Sequence, residues 1–286
     1  MLLSHTPQNQ SIESGTNVFD WTIPKEWAVS EAYIITPTGE KICDFAVNNL
    51  HLVGYSKPIN KKIGKTEFLN QVEEKIEKHH LLKHSFYKAW NAGELDRSVI
   101  QEYAAQYFKH VSAFPRYLSS IHSNCADITV RQEILDNLID EERGSENHPE
   151  LWMRFAEGMG KDRESVKDTP AIDETKELVN AFMKLSRDER YHIGFGALYC
   201  YESMVPEIAE NKIDGLKKFY GVEEGEETLK FFVVHQHADK WHREVVKKLL
   251  GEICDNDVKK EEALDAIDQA LFSLNNFLTG MERVYC

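Results

Sequence analysis

Apolar residues recur at three- and four-residue spacing from about residue 65 to the end of this 286-residue chain, the pattern of helices that bury one face. Cap residues and glycines divide the pattern into successive helices. Three of them, predicted over about 129–142, 188–208 and 226–250, carry the polar residues that matter below. So many helices in that length predict an all-α fold with one shared core, a bundle of seven or more helices.

The N-terminal residues follow a different pattern. Strand-like runs lie at Ala32–Thr36 and Leu50–Tyr55, and a turn signal at Pro37–Gly39 separates the first run from Glu40–Phe45. This part of the chain is therefore predicted to be partly β or disordered.

Length and composition limit the classes of protein that fit. The chain is long enough for two units, which we predict as an N-terminal extension over 1–62 and a helical domain over 63–286. A net charge of −14 argues against a nucleic-acid partner and against binding to an anionic membrane surface. The sequence has no long apolar run and no secretory signal, and its five cysteines are dispersed without a CxxC pair. We therefore expect a cytoplasmic protein with reduced thiols.

Candidate chemistry is concentrated in one short stretch near the C-terminus. His235, Asp239 and His242 stand at i, i+4 and i+7, so on a continuous helix they share one face. Two imidazoles and one carboxylate are suitable ligands for a transition metal. A single His–Asp pair one turn apart is more often a surface hydrogen bond, so the stripe needs partners elsewhere in the chain.

Two further segments supply such partners. Glu141 and His148 are seven residues apart and share a face if the helix continues through Gly144, a residue that can distort it. Glu202 lies in an apolar stretch, where an unpaired carboxylate is costly. Although acidic runs such as the one around Glu141 are commonly solvated faces, the combined set of three histidines and three carboxylates suits two bridged iron or manganese ions. The spacing differs from the Glu-x-x-His pattern of ferritin-like proteins.

Several phrases of the helical part resemble the TenA/PqqC-like superfamily of haem-oxygenase fold, and within it the dimetal oxidase branch that includes the chlamydial protein associating with death domains. The phrases that carry the resemblance keep their order along the chain: His84–Trp90, Tyr103–Tyr117, Asp140–His148 with Leu151-Trp152, Tyr201-Glu202, and His235–His242.

The resemblance implies a fold, a metal centre and an assembly. The fold is a seven-helix bundle, commonly a homodimer. The metal ligands of the branch fall on the six positions already selected by spacing: Glu141, His148, Glu202, His235, Asp239 and His242. The implied cofactors are two transition-metal ions, either iron alone or iron with manganese, and O2 and an external reductant are co-substrates.

The resemblance also implies a reaction. Members of this branch are similar to a p-aminobenzoate synthase that consumes itself, cutting the aromatic ring from one of its own tyrosines and taking the amino nitrogen from a lysine. The reactive residues then fall on Tyr87, Tyr201 and Lys212. The alternative is ordinary aromatic packing for the tyrosines and a surface position for the lysine. The resemblance implies a further tyrosine at position 231, where this chain has Phe231. If that tyrosine relays a radical in the branch, this protein must use another route or do different chemistry.

Other interpretations remain at this point. A thiaminase-like hydrolase would use a cysteine nucleophile, with Cys200 or Cys125 as candidate. A non-enzymatic protein could bind a death-domain partner through a helical face, and its acidic surface would suit a basic partner. Residues 18–60 resemble the N-terminal edge of an aminopeptidase-like domain, which we interpret as a remnant or accessory element because no peptidase zinc ligands follow.

Overall fold

The computed structural model describes residues 63–223, 225–236 and 240–286, except for the side chains of 240–243, and the backbone of four short strands nearer the N-terminus. The chain divides into two compact units, Met1–Lys62 and Ile63–Cys286.

The N-terminal unit contains two antiparallel strand pairs. Strands β1 (Asn17–Val18) and β2 (Trp21–Thr22) form one pair, and β3 (Ile34–Ile35) and β4 (Lys41–Ile42) form the other. The second pair joins the two runs that flank the predicted turn. The predicted strand over residues 50–55 lies outside the described residues.

The second unit is helical throughout its described residues, which confirms the all-α prediction. Its helices are α1 (Lys65–Lys78), α2 (Ser85–Ala92), α3 (Arg97–Asn124), α4 (Ile128–Glu142), α5 (His148–Gly158), α6 (Arg163–Asp168), α7 (Asp173–Ser186), α8 (Tyr191–Glu202), α9 (Val205–Phe219), α10 (Lys230–Gln236), α11 (Lys240–Ile253) and α12 (Asp257–Tyr285). Short 3-10 turns at Leu81–Lys83 and Glu227–Leu229 precede α2 and α10. No helix of the described residues has the length and hydrophobicity needed to cross a bilayer.

The two longest helices, α3 and α12, organise the core. Helix α12 packs on α7 and α8, and α3 packs on α4, α5 and α7. Helix α3 buries an unusually broad face that includes Tyr103, Tyr107 and His110, because neighbouring helices surround most of its circumference. Polar groups therefore enter the middle of the bundle on α3.

The expected seven helices are wrong in number, because several predicted helices are interrupted. The helix predicted over 188–208 ends at Glu202, and α9 begins at Val205. Pro206 lies in the first turn of α9, where its missing N–H group costs nothing, whereas the same proline inside a continuous helix would remove a hydrogen bond. The helix predicted from residue 226 begins instead with the 3-10 turn at Glu227–Leu229, and α10 follows from Lys230.

Close packing between α2 and α9 depends on Gly215. A Cβ atom at this position would lie 2.6 Å from Cδ1 and 2.7 Å from Nε1 of the Trp90 side chain. Because Trp90 is fully buried, its ring has little room to move. Gly215 thus sets the distance between α9 and α2, one turn after Lys212.

Substituting Gly215 by alanine is expected to separate α9 from α2 and to destabilise the fold by about 1–3 kcal/mol. It should also lower formation of p-aminobenzoate, the product that the resemblance implies, by about tenfold. The matched control is Gly196→Ala in α8, where the nearest atoms would lie at an ordinary 3.5 Å. Thermal unfolding and the product assay measure both effects. If both variants unfolded at the same temperature and formed the same amount of product, the distance between α2 and α9 would have no effect on stability or activity.

Candidate metal centre and the adjacent aromatic cluster

Three predicted ligands meet at one point. Ligand atoms of Glu141, His148 and His235 all lie within 4.8 Å of one another. They come from the end of α4, the start of α5 and the end of α10, and they line a cavity of about 600 Å³. The sequence prediction therefore selected residues that the fold brings together.

Glu141 and His148 do not lie on one continuous helix. Helix α4 ends at Glu142, and the chain turns through Gly144, whose φ of 84° is in the left-handed region that favours glycine. Asn147 then caps α5 by accepting a hydrogen bond from the Glu150 N–H group. The two ligands thus converge from separate helices and do not share a face of one helix.

The two histidines present ring nitrogens suited to a metal. Nδ1 of His148 lies 2.7 Å from Oε1 of Glu141, yet it is buried without a hydrogen-bond partner. Nδ1 of His235 lies 2.6 Å from the Phe231 carbonyl oxygen. Since a carbonyl can only accept, Nδ1 donates and the lone pair of His235 is on Nε2. Burial, with the nearby His148, lowers the pKa of His235 to about 3, so its ring is neutral near pH 7.

Glu202 lines the same cavity at the end of α8. Its Oε1 accepts a hydrogen bond of 2.6 Å from the Asn137 side chain, which fixes the carboxylate. Burial raises the pKa of Glu202 to about 7, and the neighbouring Glu141 acts in the same direction. Asn137 is a residue that sequence reasoning missed.

The last two predicted ligands are not tested by the described residues. Asp239 lies outside them, and His242 belongs to α11 but its side chain is not described. They stay predictions.

The described donors fit a transition metal. Two imidazoles and two carboxylates converge on one cavity, and a buried nitrogen without a hydrogen bond is costly unless something else binds it. The hydrogen bonds to His235 and Glu202 from outside the centre orient these side chains, as in established metal sites.

The three predicted reactive residues belong to one buried aromatic cluster. Nζ of Lys212 donates a hydrogen bond of 2.7 Å to the Tyr103 hydroxyl, which lies 2.8 Å from the Tyr87 hydroxyl. Nζ of Lys212 also lies 5.1 Å from the centre of the Tyr87 ring. Burial lowers the pKa of Lys212 to about 7 and raises that of Tyr87. About half of the Lys212 amine is therefore neutral near pH 7, beside a protonated phenol, and Lys212 is not a surface residue.

Tyr201 joins this cluster through a second pair of tyrosines. Its hydroxyl lies 2.8 Å from that of Tyr107, and the Tyr107 ring stacks on Tyr103 with centroids 5.4 Å apart. Tyr201 immediately precedes Glu202 and lines the metal cavity. The four tyrosines thus form a continuous path from the cavity to Tyr87 and Lys212.

Sequence reasoning missed the members of this path that lie on α3. Tyr103, Tyr107 and His110 stand at i, i+4 and i+7, the same spacing that drew attention to the histidine stripe. His110 is fully buried among aromatic rings, including Tyr107 and Tyr201, and burial lowers its pKa to about 3. The spacing was a usable signal, but buried aromatic residues in a long helix look like ordinary core.

Phe231, the position at which the resemblance implies a tyrosine, packs against a predicted ligand. Its ring centroid is 4.2 Å from that of His235 and 4.8 Å from that of Trp152. Trp152 in turn lies 5.1 Å from Tyr107. The Phe231 ring thus packs against the candidate ligand His235, and Trp152 connects it with the Tyr107 ring.

Most of the chain is similar to known proteins. A family model described as iron-containing redox enzyme matches residues 101–274. A 4-aminobenzoate synthase of Nitrosomonas europaea is 42% identical over 228 residues, covering 77% of this chain and 92% of that protein. A 4-aminobenzoate synthase of Chlamydia pneumoniae is 36% identical over 215 residues, covering 75% of this chain and 95% of that protein.

Solved structures confirm the fold. A TenA homologue from Pseudomonas syringae superposes with a TM-score of 0.65 at 15% identity, covering 81% of this chain and 99% of that one. A domain of unknown function with a haem-oxygenase-like fold from Shewanella denitrificans gives 0.65 at 15% identity, covering 77% and 92%. At such identities the likeness shows the haem-oxygenase-like fold alone.

The aminopeptidase-like resemblance is also confirmed, within limits. A putative polysaccharide biosynthesis protein with an aminopeptidase-like domain from Clostridium acetobutylicum is 47% identical over 62 residues, 21% of this chain and 14% of that protein. A model of a domain of unknown function matches residues 26–115. Because so little of the clostridial protein is covered, its activity does not transfer. The family model and the synthases, by contrast, span most of the helical unit, and the chain therefore belongs to the family of iron-containing redox enzymes.

Proposed function

We propose that this protein is a dimetal oxidase that makes 4-aminobenzoate, also called p-aminobenzoate, from its own tyrosine and lysine side chains. Relatives of 36–42% identity carry the name 4-aminobenzoate synthase. The observation that carries the proposal is the meeting of Tyr87, Tyr201 and Lys212 in one buried cluster beside Glu141, His148 and His235. Ordinary core packing requires no lysine at the centre of such a cluster.

Two metal ions, iron alone or iron with manganese, would be held by the four described ligands together with Asp239 and His242. Bound there, they would supply electrons to O2 and provide an oxidant for the adjacent phenols. His235 is oriented by the Phe231 carbonyl, and Glu202 by Asn137.

The contacts within the aromatic cluster suggest a role for each of its tyrosines and for Lys212. Tyr87 provides the aromatic ring, and Lys212 provides nitrogen as a neutral amine held 5.1 Å from the centre of that ring. Tyr103 accepts the hydrogen bond from Lys212 and contacts the Tyr87 hydroxyl, so it orients both. Tyr201 and Tyr107 connect this pair with the cavity, a route that does not need a hydroxyl at position 231.

Metal analysis combined with product detection tests the proposal. Protein reconstituted anaerobically with iron and manganese is expected to hold about two ions per chain and to form 4-aminobenzoate with O2 and reductant. His148→Ala should lose at least about half of the metal, because an imidazole at the convergence point is removed. His122→Ala, a half-buried histidine elsewhere in the bundle, is the control. Wild-type protein with near-zero metal after faithful reconstitution would refute the proposal.

The thiaminase-like alternative is disfavoured by the state of its candidate nucleophiles. Cys200 is fully buried, its thiol donates to the Ala197 carbonyl at 3.2 Å, and burial raises its pKa. Burial also raises the pKa of Cys125. Because the thiolate is the reactive form, both environments oppose nucleophilic catalysis.

A further inference from the structure

The face of helix α4 that lines the cavity is polar. Its cavity-lining residues share one side of the helix through their i, i+3, i+4, i+7, i+8 spacing: Glu133, Asp136, Asn137, Asp140 and Glu141. Asp136 and Asp140 are exposed, Glu133 and Asn137 are half-buried, and Glu141 is buried. Carboxylates therefore line the cavity from its solvent-exposed side to the buried Glu141.

Three of these carboxylates have no counter-charge among the described residues. Glu133, Asp136 and Asp140 form no ion pair with any residue that the structure describes. Glu146, another carboxylate of the cavity, is by contrast paired with Arg154 and Lys230. Among the described residues that line the cavity there is no lysine or arginine. Unpaired charge of one sign along a cavity wall produces a field that attracts cations.

The same cavity holds a buried ring nitrogen that lacks a hydrogen-bond partner among the described residues. His148 is 8% exposed, and its Nδ1 lies 2.7 Å from the Glu141 carboxylate without the geometry of a hydrogen bond. Glu141 follows Asn137 by one helical turn, so the polar face of α4 ends at that carboxylate. The carboxylates of α4 thus extend along the cavity to Glu141 and His148, whose oxygen and nitrogen atoms are suitable metal ligands.

We propose that Glu133, Asp136 and Asp140 form a capture stripe that draws divalent metal ions into the cavity and passes them to Glu141 and His148. The stripe acts on the rate of metal loading, because its members stand at the approach and are not themselves among the ligands. Oxygen donors of this kind bind divalent cations weakly and release them to a site that also offers imidazole. The inference rests on the proposed function, since it assumes that the centre binds metal.

Stopped-flow loading of the full chain with Co²⁺ alone tests the stripe, because the visible absorption of Co²⁺ reports its binding to nitrogen and oxygen ligands. The test variant is Glu133→Gln/Asp136→Asn/Asp140→Asn. At low ionic strength its association rate constant is expected to fall about tenfold, with Co²⁺ stoichiometry at saturation unchanged. At about 1 M salt, where the screening length is about 3 Å, variant and wild type should converge.

The control variant is Glu94→Gln/Glu210→Gln/Asp214→Asn. It makes the same change in net charge at exposed carboxylates that do not line the cavity, and it should load like wild type. Equal loss of rate in both variants would overturn the proposal, since net charge alone would then explain the effect. A stripe variant that loads at the wild-type rate would overturn it as well.

Wild-type measurements keep the test decisive if the stripe variant does not fold. The loading rate of wild type should then decrease steeply with salt, and a rate independent of salt would contradict the stripe. Failure of the proposed function gives a different result, because wild type would then bind no Co²⁺ at saturation.

Discussion

Replacing Tyr87 by phenylalanine is expected to abolish 4-aminobenzoate formation while leaving the protein folded and able to bind metal. The substitution keeps the aromatic ring but removes its hydroxyl group, which makes tyrosine easier to oxidise than phenylalanine. It also removes the 2.8 Å contact with the Tyr103 hydroxyl, which costs about 1 kcal/mol of stability. Liquid chromatography of the reconstituted reaction measures the product, and metal analysis of the same sample shows that the centre is intact.

The matched control is Tyr191→Phe, because Tyr191 is a partly buried tyrosine outside the cluster. It should give normal product. In wild type, mass spectrometry after exposure to O2 and reductant should show loss of side-chain mass at Tyr87 and an unmodified Tyr191. Continued product formation by Tyr87→Phe would contradict the assignment of Tyr87 as the source of the ring.

Replacing Lys212 by methionine should have opposite effects on product and on stability. Lys212 is 4% exposed, and burial lowers its pKa from 10.5 to about 7, so folding at pH 7 carries a protonation cost of roughly 4 kcal/mol. Methionine fills similar space without that cost but loses the bond to Tyr103. We expect product to be abolished and Tm to rise by about 5 °C. The control is Lys218→Met, an exposed lysine of the same helix.

Because Lys212 titrates, the stability difference between wild type and Lys212→Met should depend on pH. The folded pKa of about 7 lies below the unfolded value near 10.5, so the unfolded chain binds more protons between these values. The destabilising contribution of Lys212 is therefore complete below about pH 7 and absent above about pH 10.5. Wild type should gain stability relative to Lys212→Met as pH rises through this window, and its rate of product formation should rise as the amine becomes neutral. A constant stability difference would contradict the buried amine.

The sequence was sufficient to choose Glu141, His148 and His235, because metal ligands are few in kind and their spacing is restrictive. The sequence left open how Glu141 and His148 approach each other, because helical periodicity does not show how Gly144 turns the chain. Glu141 and His148 meet because the turn at Gly144 places the end of α4 and the start of α5 beside the same cavity. The sequence therefore indicated the candidate ligands through their residue types, whereas the turn that brings Glu141 and His148 together is visible only in the structure.

The helix boundary after Glu202 shows a second limit. Pro206 signalled an interruption, but the apolar pattern continues across it and favoured one helix. The bridging tyrosines show a third limit. Tyr103 and Tyr107 are distinguished from core aromatics only by the hydroxyl and amine groups that meet them from α2, α8 and α9, and those meetings are tertiary contacts.

The most direct test of self-consumption is isotopic labelling. Protein produced with ring-¹³C tyrosine and side-chain ¹⁵N lysine is purified, reconstituted with metal, and exposed to O2 and reductant with no organic substrate added. If the protein consumes itself, the 4-aminobenzoate should carry a fully ¹³C ring and a ¹⁵N amino group, should not exceed one molecule per chain, and should accompany a matching mass loss at Tyr87. Unlabelled product, or several turnovers per chain from an added precursor, would contradict self-consumption.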